Sequence, residues 1–158
     1  MKAYCALLFV ALLLCPPITR AEDWPQWLGP DRNGISKERG LLQTWPERGP
    51  KLLWHIENLG SGYSTPTVVG NRIYILANEG LEDEFVKALD RKNGKQVWSI
   101  RIGKVGNPDQ KPSYPGSRSS ATVDGDRLYA FGSDGDLACL DLATGKVRWH
   151  FNVREKFS

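Results

Sequence analysis

Three acidic runs carry the residue types that a cation site or an acid–base pair needs: Glu82-Asp83-Glu84, Asp124-Gly125-Asp126 and Asp134-Gly135-Asp136. Hard cations such as calcium are held by converging carboxylate and carbonyl oxygens. The last two runs join Asp to Gly as tight turns do, and turn preference favours hairpins there over metal sites. The first reads as a solvated acidic loop. Asp31-Arg32-Asn33-Gly34 shares its opening with a calcium loop but lacks the further ligands and the closing Glu. The two histidines, His55 and His150, each follow a tryptophan, Trp54 and Trp149. Equivalent strand positions direct them away from a core, and neither has a Cys or His partner at ligand spacing. Cys139 sits in the apolar run Leu137-Ala138-Cys139-Leu140, a buried strand position with no neighbouring base to activate a thiol.

None of these groups defines a reaction, so the elements that hold them carry the argument. A chain of 158 residues, 41% hydrophobic and 25% charged, suits one soluble globular domain and excludes a disordered tail or a collagen-like fibre. The net charge of +3 gives no reason to expect a nucleic-acid partner. Lys2, the apolar run Ala3 to Cys15 and Pro16-Pro17 have the layout of a secretory signal peptide, residues 1–21, with Thr19-Arg20-Ala21 preceding a cut at Glu22. The run is short for a permanent span. An uncleaved anchor is the alternative, and a lipoprotein modified at Cys15 ranks third because Leu14 is not small. Contact with a membrane is expected only through this segment. With Cys5 and Cys15 removed, Cys139 alone remains and no intramolecular disulfide can form within this stretch.

The chain repeats itself. Thr65-Pro66-Thr67-Val68-Val69-Gly70-Asn71-Arg72-Ile73-Tyr74 aligns with Ser120-Ala121-Thr122-Val123-Asp124-Gly125-Asp126-Arg127-Leu128-Tyr129 at an offset of 55 residues. Ala88-Leu89-Asp90, Gly94-Lys95 and Trp98 align with Cys139-Leu140-Asp141, Gly145-Lys146 and Trp149 at an offset of 51, so the first copy holds four extra residues, placed by polarity in a loop around Leu81 to Glu84. Gly70-Asn71, Asn93-Gly94, Asp124-Gly125-Asp126 and Thr144-Gly145 supply hairpin turns. Trp98, Ile100 and Ile102, and then Trp149, Phe151 and Val153, alternate with period two. No helical period stands out beyond the leader, and Ser36 to Gln43 offers one turn at best. Each copy therefore reads as four antiparallel strands, the unit of a propeller blade, with its Trp as a packing plate between neighbouring blades.

The recurrence of Asp, Gly-Lys and Trp resembles the tryptophan-docking repeat of pyrroloquinoline-quinone-type β-propellers. The opening Trp24-Pro25-Gln26-Trp27-Leu28-Gly29-Pro30 and the stretch Trp45-Pro46 to Trp54 resemble the lead-in of exported bacterial members. The resemblance implies an all-β fold: two four-stranded blades of a larger propeller of seven or eight, with the lead-in at 22–50 and the repeats at 51–158. Blade one is expected at about 60–102 and blade two at about 119–153, with a strand around Leu52 to Ile56 closing another blade. The chain is expected to be the N-terminal part of a longer protein. Asp90, Gly94, Trp98, Asp141, Gly145 and Trp149 are the expected blade-docking residues.

Enzymes of this family hold the quinone and a calcium ion on the propeller axis, use an Asp as base, and in some cases stack the quinone on a ring of two adjacent cysteines. No adjacent Cys pair exists here. No catalytic, metal or cofactor residue is assigned, and quinone and calcium are expected only if the whole protein is a dehydrogenase. The long Gly103 to Ser119 connection carries Tyr114 and Arg118, candidates for an anionic or planar ligand or a protein partner near the axis, against the plainer reading of an inter-blade crossover. Two functions follow: an exported, non-catalytic binding or scaffolding propeller, similar to the propeller lipoprotein of outer-membrane assembly, or a quinone-dependent alcohol or sugar dehydrogenase with its active site in other blades.

Overall fold

A computed structural model describes residues 21–107 and 116–157. The expected signal peptide, apart from Ala21, and Tyr114 lie outside the described residues. The first sheet holds β1 (Thr67–Val69), β2 (Arg72–Glu79), β3 (Asp83–Asp90) and β4 (Gln96–Lys104); the second holds β5 (Thr122–Asp124), β6 (Arg127–Phe131), β7 (Asp136–Asp141) and β8 (Val147–Asn152). Each is an antiparallel meander whose spatial order follows the chain. Among the described residues no helix is long and apolar enough to cross a membrane.

The repeat extends to register. Thr67, Tyr74, Ala88 and Trp98 form one cross-strand row, and Thr122, Tyr129, Cys139 and Trp149 form its counterpart. A bulge falls at the same place in each sheet, between Ala88 and Leu89 and between Cys139 and Leu140. Gly70 and Gly125 open the first hairpins at φ 59° and 57°, where a side chain would be strained.

Alternation fixes the packing. Tyr74, Leu76, Val86, Ala88 and Ile102 leave one face of the first sheet and meet Leu128, Ala130, Ala138 and Leu140 from the second, all at most 3% exposed. Each large side chain buried this way contributes about 1.5–3 kcal/mol. Among the described residues no sheet covers the opposite face of the second sheet, so Phe131 and Trp149 are 46% and 42% exposed.

Four expectations need correction. The extra residues of the first copy do not make a loop: they lengthen β2 and β3 to eight residues each, against five and six in β6 and β7. Consequently Asp83 and Glu84 belong to β3, and Glu84 is fully buried instead of solvated. Backbone pairing continues through the acidic run because each added residue of β2 finds a partner on β3, from Asn78↔Glu84 to Glu79↔Asp83. Val153 opens a short helix, α1 (Val153–Phe157), capped by Asn152 Oδ1, which accepts from the Arg154 and Glu155 amides at 2.9 and 3.3 Å. The stretch Leu52 to Ile56 forms no strand and pairs with none among the described residues.

Candidate functional site

Antiparallel order sorts the connections into two ends. Gly70–Asn71, Arg91–Lys95, Gly125–Asp126 and Leu142–Lys146 lie at one end; the β2–β3 and β6–β7 turns and the β4–β5 connection lie at the other.

At the first end the repeat residues lock sheet to sheet. The Asp90 carbonyl accepts from the Gly94 amide (2.8 Å), and the Asp141 carbonyl accepts from Gly145 (2.8 Å), shaping turns in which both glycines take positive φ. The missing Cβ is filled by a neighbour's indole: a Cβ on Gly94 would stand 2.8 Å from the Trp54 ring, and one on Gly145 would stand 2.8 Å from Trp98. Trp54 Nε1 completes its dock by donating to the Arg91 carbonyl at 3.0 Å. In the next interface the equivalent carbonyl, Leu142, accepts instead from the Tyr74 hydroxyl at 3.3 Å, and the buried Trp98 Nε1 has no partner. Tyr74 lies 5.8 Å from Trp98, and Tyr129 repeats the contact at 6.1 Å from Trp149. Burial raises the Tyr74 hydroxyl above its ordinary pKa, against the lowering field of Arg72.

Charge sits on the same surface. Arg148 Nη2 donates to Asp126 at 2.6 Å and to Asp141 at 2.9 Å, while Thr144 gives Asp141 both its amide and its hydroxyl. The Arg148 bond, then the Thr144 bonds, hold the Asp141 carboxyl down to about 2. The Arg148 bond likewise lowers Asp126. A groove of about 540 Å³ opens beside these pairs, lined by Asn71, Arg72, Tyr74, Asp126, Asp141 and Leu142.

The opposite end contains a group that no repeat signalled. Glu84 Oε1 accepts from the Ser117 hydroxyl at 2.6 Å, and Oε2 accepts from the Ser133 amide at 2.5 Å and its hydroxyl at 2.9 Å. One buried carboxylate thus ties the first sheet to the β4–β5 connection and to the second sheet's turn. Asp136 packs against Gly103, where a Cβ would overlap its carboxylate, and meets His150 Nε2 at 3.0 Å. His55 is remote from it, beside Glu57 at 3.9 Å. Arg118 lies with its guanidinium carbon 5.3 Å over the ring of Tyr63, which is 59% exposed and whose amide donates to the Ser117 carbonyl at 2.7 Å. The structure therefore joins Arg118 to Tyr63, an aromatic that the sequence reading passed over. At the 55-residue offset Tyr63 stands opposite Arg118, a different residue type, and Glu84 falls in the unrepeated insertion, so identity between the two copies flags neither.

A family model described as outer membrane protein assembly factor BamB matches residues 34–157. The chain belongs to this family of PQQ-like propellers. BamB of Moranella endobia (strain PCIT) is 28% identical over 121 residues, 73% of this chain and 30% of that protein. The dehydrogenase subunit of the quinone alcohol dehydrogenase of Gluconobacter oxydans (strain 621H) is 35% identical over 103 residues, 63% of this chain and 13% of that protein. The crystal structure of BamB from Moraxella catarrhalis superposes with a TM-score of 0.51 at 22% identity, covering 69% of this chain and 30% of that one. The two sheets are thus propeller blades, and the chain spans less than a third of these relatives' length.

The acidic groups in and between these blades serve as partners to serines, arginines and a histidine, and the β1 and β5 edges are bonded by residues 23–25. Among the described residues no set of side chains fits a quinone or a calcium ion.

Proposed function

We propose that this chain is part of an exported, non-catalytic propeller that binds or scaffolds another molecule in the cell envelope. The observation that carries the reading is the commitment of six acidic side chains to the fold: Asp83 to Arg101, Glu84 to Ser117 and Ser133, Asp126 and Asp141 to Arg148, Asp134 to Arg154 and Asp136 to His150. A carboxylate used as a fixed acceptor in a seam is poorly placed to shuttle protons. The family match to the assembly factor and the leader-like opening support the envelope setting. Tyr63 and Arg118, at the blade end that carries the β4–β5 connection, offer a flat, cationic contact for an anionic or planar group of the bound molecule.

The second reading, part of a quinone-dependent alcohol dehydrogenase, is favoured by the 35% identity to the Gluconobacter oxydans subunit. One assay separates them. The purified protein is loaded with pyrroloquinoline quinone and calcium, then tested for alcohol-dependent dye reduction. The scaffold reading expects no turnover, and turnover above a quinone-only blank would replace it with the dehydrogenase.

A further inference from the structure

β1 and β5 are the inner strands of the two blades, and an edge strand ordinarily leaves a row of amide groups unpaired. Here that edge is taken. Trp24 exchanges both backbone hydrogen bonds with Val68, at 2.7 and 3.0 Å, Asp23 Oδ1 accepts from the Gly70 amide at 2.9 Å, and the Pro25 carbonyl accepts from Val123 at 2.8 Å. Val68 and Val123 are equivalent residues of the two copies, so one short stretch bonds the same position of two successive blades. The inner strands are also where the blades converge, with Thr67 Oγ1 donating across to the Ala121 carbonyl at 2.6 Å. The lead-in thus runs along the axial side.

Beyond Pro25 it coils back on itself. A Cβ on Gly29 would stand 2.7 Å from the Trp24 ring, and Gln26 ties the coil by accepting from Arg32 Nε at 3.0 Å and donating to the Pro30 carbonyl at 3.2 Å. The coil then turns Trp27, Leu28 and Ile35 outward, 59%, 40% and 63% exposed.

We propose that residues 23–35 are an axial plug, a coil that bonds the inner strands of successive blades and fills the centre of the ring. Trp27, Leu28 and Ile35 seat on the inner strands of the blades opposite. Continuity argues for this occupant: the same coil already bonds two equivalent inner strands, and an inner strand edge is the surface that each blade of a ring presents to the centre. The inference rests on the ring of blades in the functional reading but not on its lack of catalysis.

The test uses the protein made from its own gene in its own host, with Ile35→Cys as probe and Lys95→Cys, on an exposed turn, as reference. Cys139 is 1% exposed and stays silent. The plug predicts that maleimide labels the Ile35→Cys protein about 100-fold more slowly than the Lys95→Cys protein. Small-angle scattering reads ring closure separately. A closed disc with equal labelling rates overturns the plug and leaves the ring; scattering without a closed disc overturns both. Gly29→Val, which displaces Trp24, is expected to bring the two rates together. Should that variant fail to fold, amide exchange of the unsubstituted protein decides: Val68 and Val123 exchange together if one coil holds both, and separate rates refute it.

Discussion

Replacing Glu84 with alanine tests whether the seam is held by that single carboxylate. Its oxygens accept from two hydroxyls and one amide at 2.5–2.9 Å with no exposure to solvent. In Glu84→Ala the hydroxyls can rotate toward other partners, but the Ser133 amide is fixed by the backbone. Loss of hydrogen bonds to a charged group, with an amide left poorly paired, costs about 2 kcal/mol. At a urea dependence of about 2 kcal/mol per molar, the unfolding midpoint falls by about 1 M. Glu84→Gln separates acceptor geometry from bulk. Its carbonyl oxygen can take both Ser133 donors while its amide donates to the Ser117 oxygen, so its loss stays under about 1 kcal/mol. Amide exchange at Ser133 locates the effect, rising in the alanine variant and little changed in the glutamine variant. If Glu84→Gln is as unstable as Glu84→Ala, or if neither differs from the parent, the carboxylate is not the clasp inferred here.

Three further expectations bear on the other end of the seam. Gly145→Ala places a Cβ 2.8 Å from Trp98 at φ 73°, whereas Gly125→Ala meets nothing within 4 Å at φ 57°; both lose about 1–2 kcal/mol to left-handed backbone, and any excess in Gly145→Ala, read by thermal unfolding, is the docking contact. Asp141 titrates at about 2 in the fold against an ordinary 3.8, so its bonds stabilise the fold fully above about pH 4 and are lost as pH falls through 2. The melting difference between parent and Arg148→Ala should accordingly be steady near neutrality and shrink across that window, and a difference that persists below pH 2 would count against the pairing. Tyr74→Phe frees the Leu142 carbonyl for the unpartnered Trp98 Nε1, as the Arg91 carbonyl already serves Trp54, so the variant should lose less than about 1 kcal/mol in urea unfolding.

What repeats was legible, and the reason is physical. Tyr74 and Tyr129, Gly94 and Gly145, and Trp98 and Trp149 recur because each blade must solve the same packing problem with the same strand register. Period-two alternation therefore located the core strands. Failures came where the two copies differ. Polarity placed Glu82-Asp83-Glu84 in solvent, yet a strand pair extended by backbone pairing carried Glu84 inward to waiting donors in the second blade. No local signal marks Ser117 or Ser133 as those donors, since each is distant from Glu84 in sequence. The α1 turn was equally hidden, because a five-residue helix with an Asn cap has no period to detect.

The same distinction bears on function. A residue present in both copies answers a demand that every blade makes, so it reports how blades stack and cannot separate an assembly factor from a dehydrogenase; relatives of both kinds match this chain. Residues present once are free of that demand. Glu84 in the four-residue extension, Tyr63 and Arg118, which differ from each other at equivalent positions, and the coil from Asp23 to Ile35 have no counterpart of the same type in the other copy. Glu84 fixes Ser117, the neighbour of Arg118, while the Ser117 carbonyl holds the Tyr63 amide. The clasp and the proposed Tyr63–Arg118 contact are therefore one mechanical unit. Disturbing Glu84 should loosen the Tyr63–Arg118 pair without touching either side chain, so partner binding at that pair should weaken in Glu84→Ala and persist in Glu84→Gln. Binding that survives Glu84→Ala would place the contact surface elsewhere on the propeller.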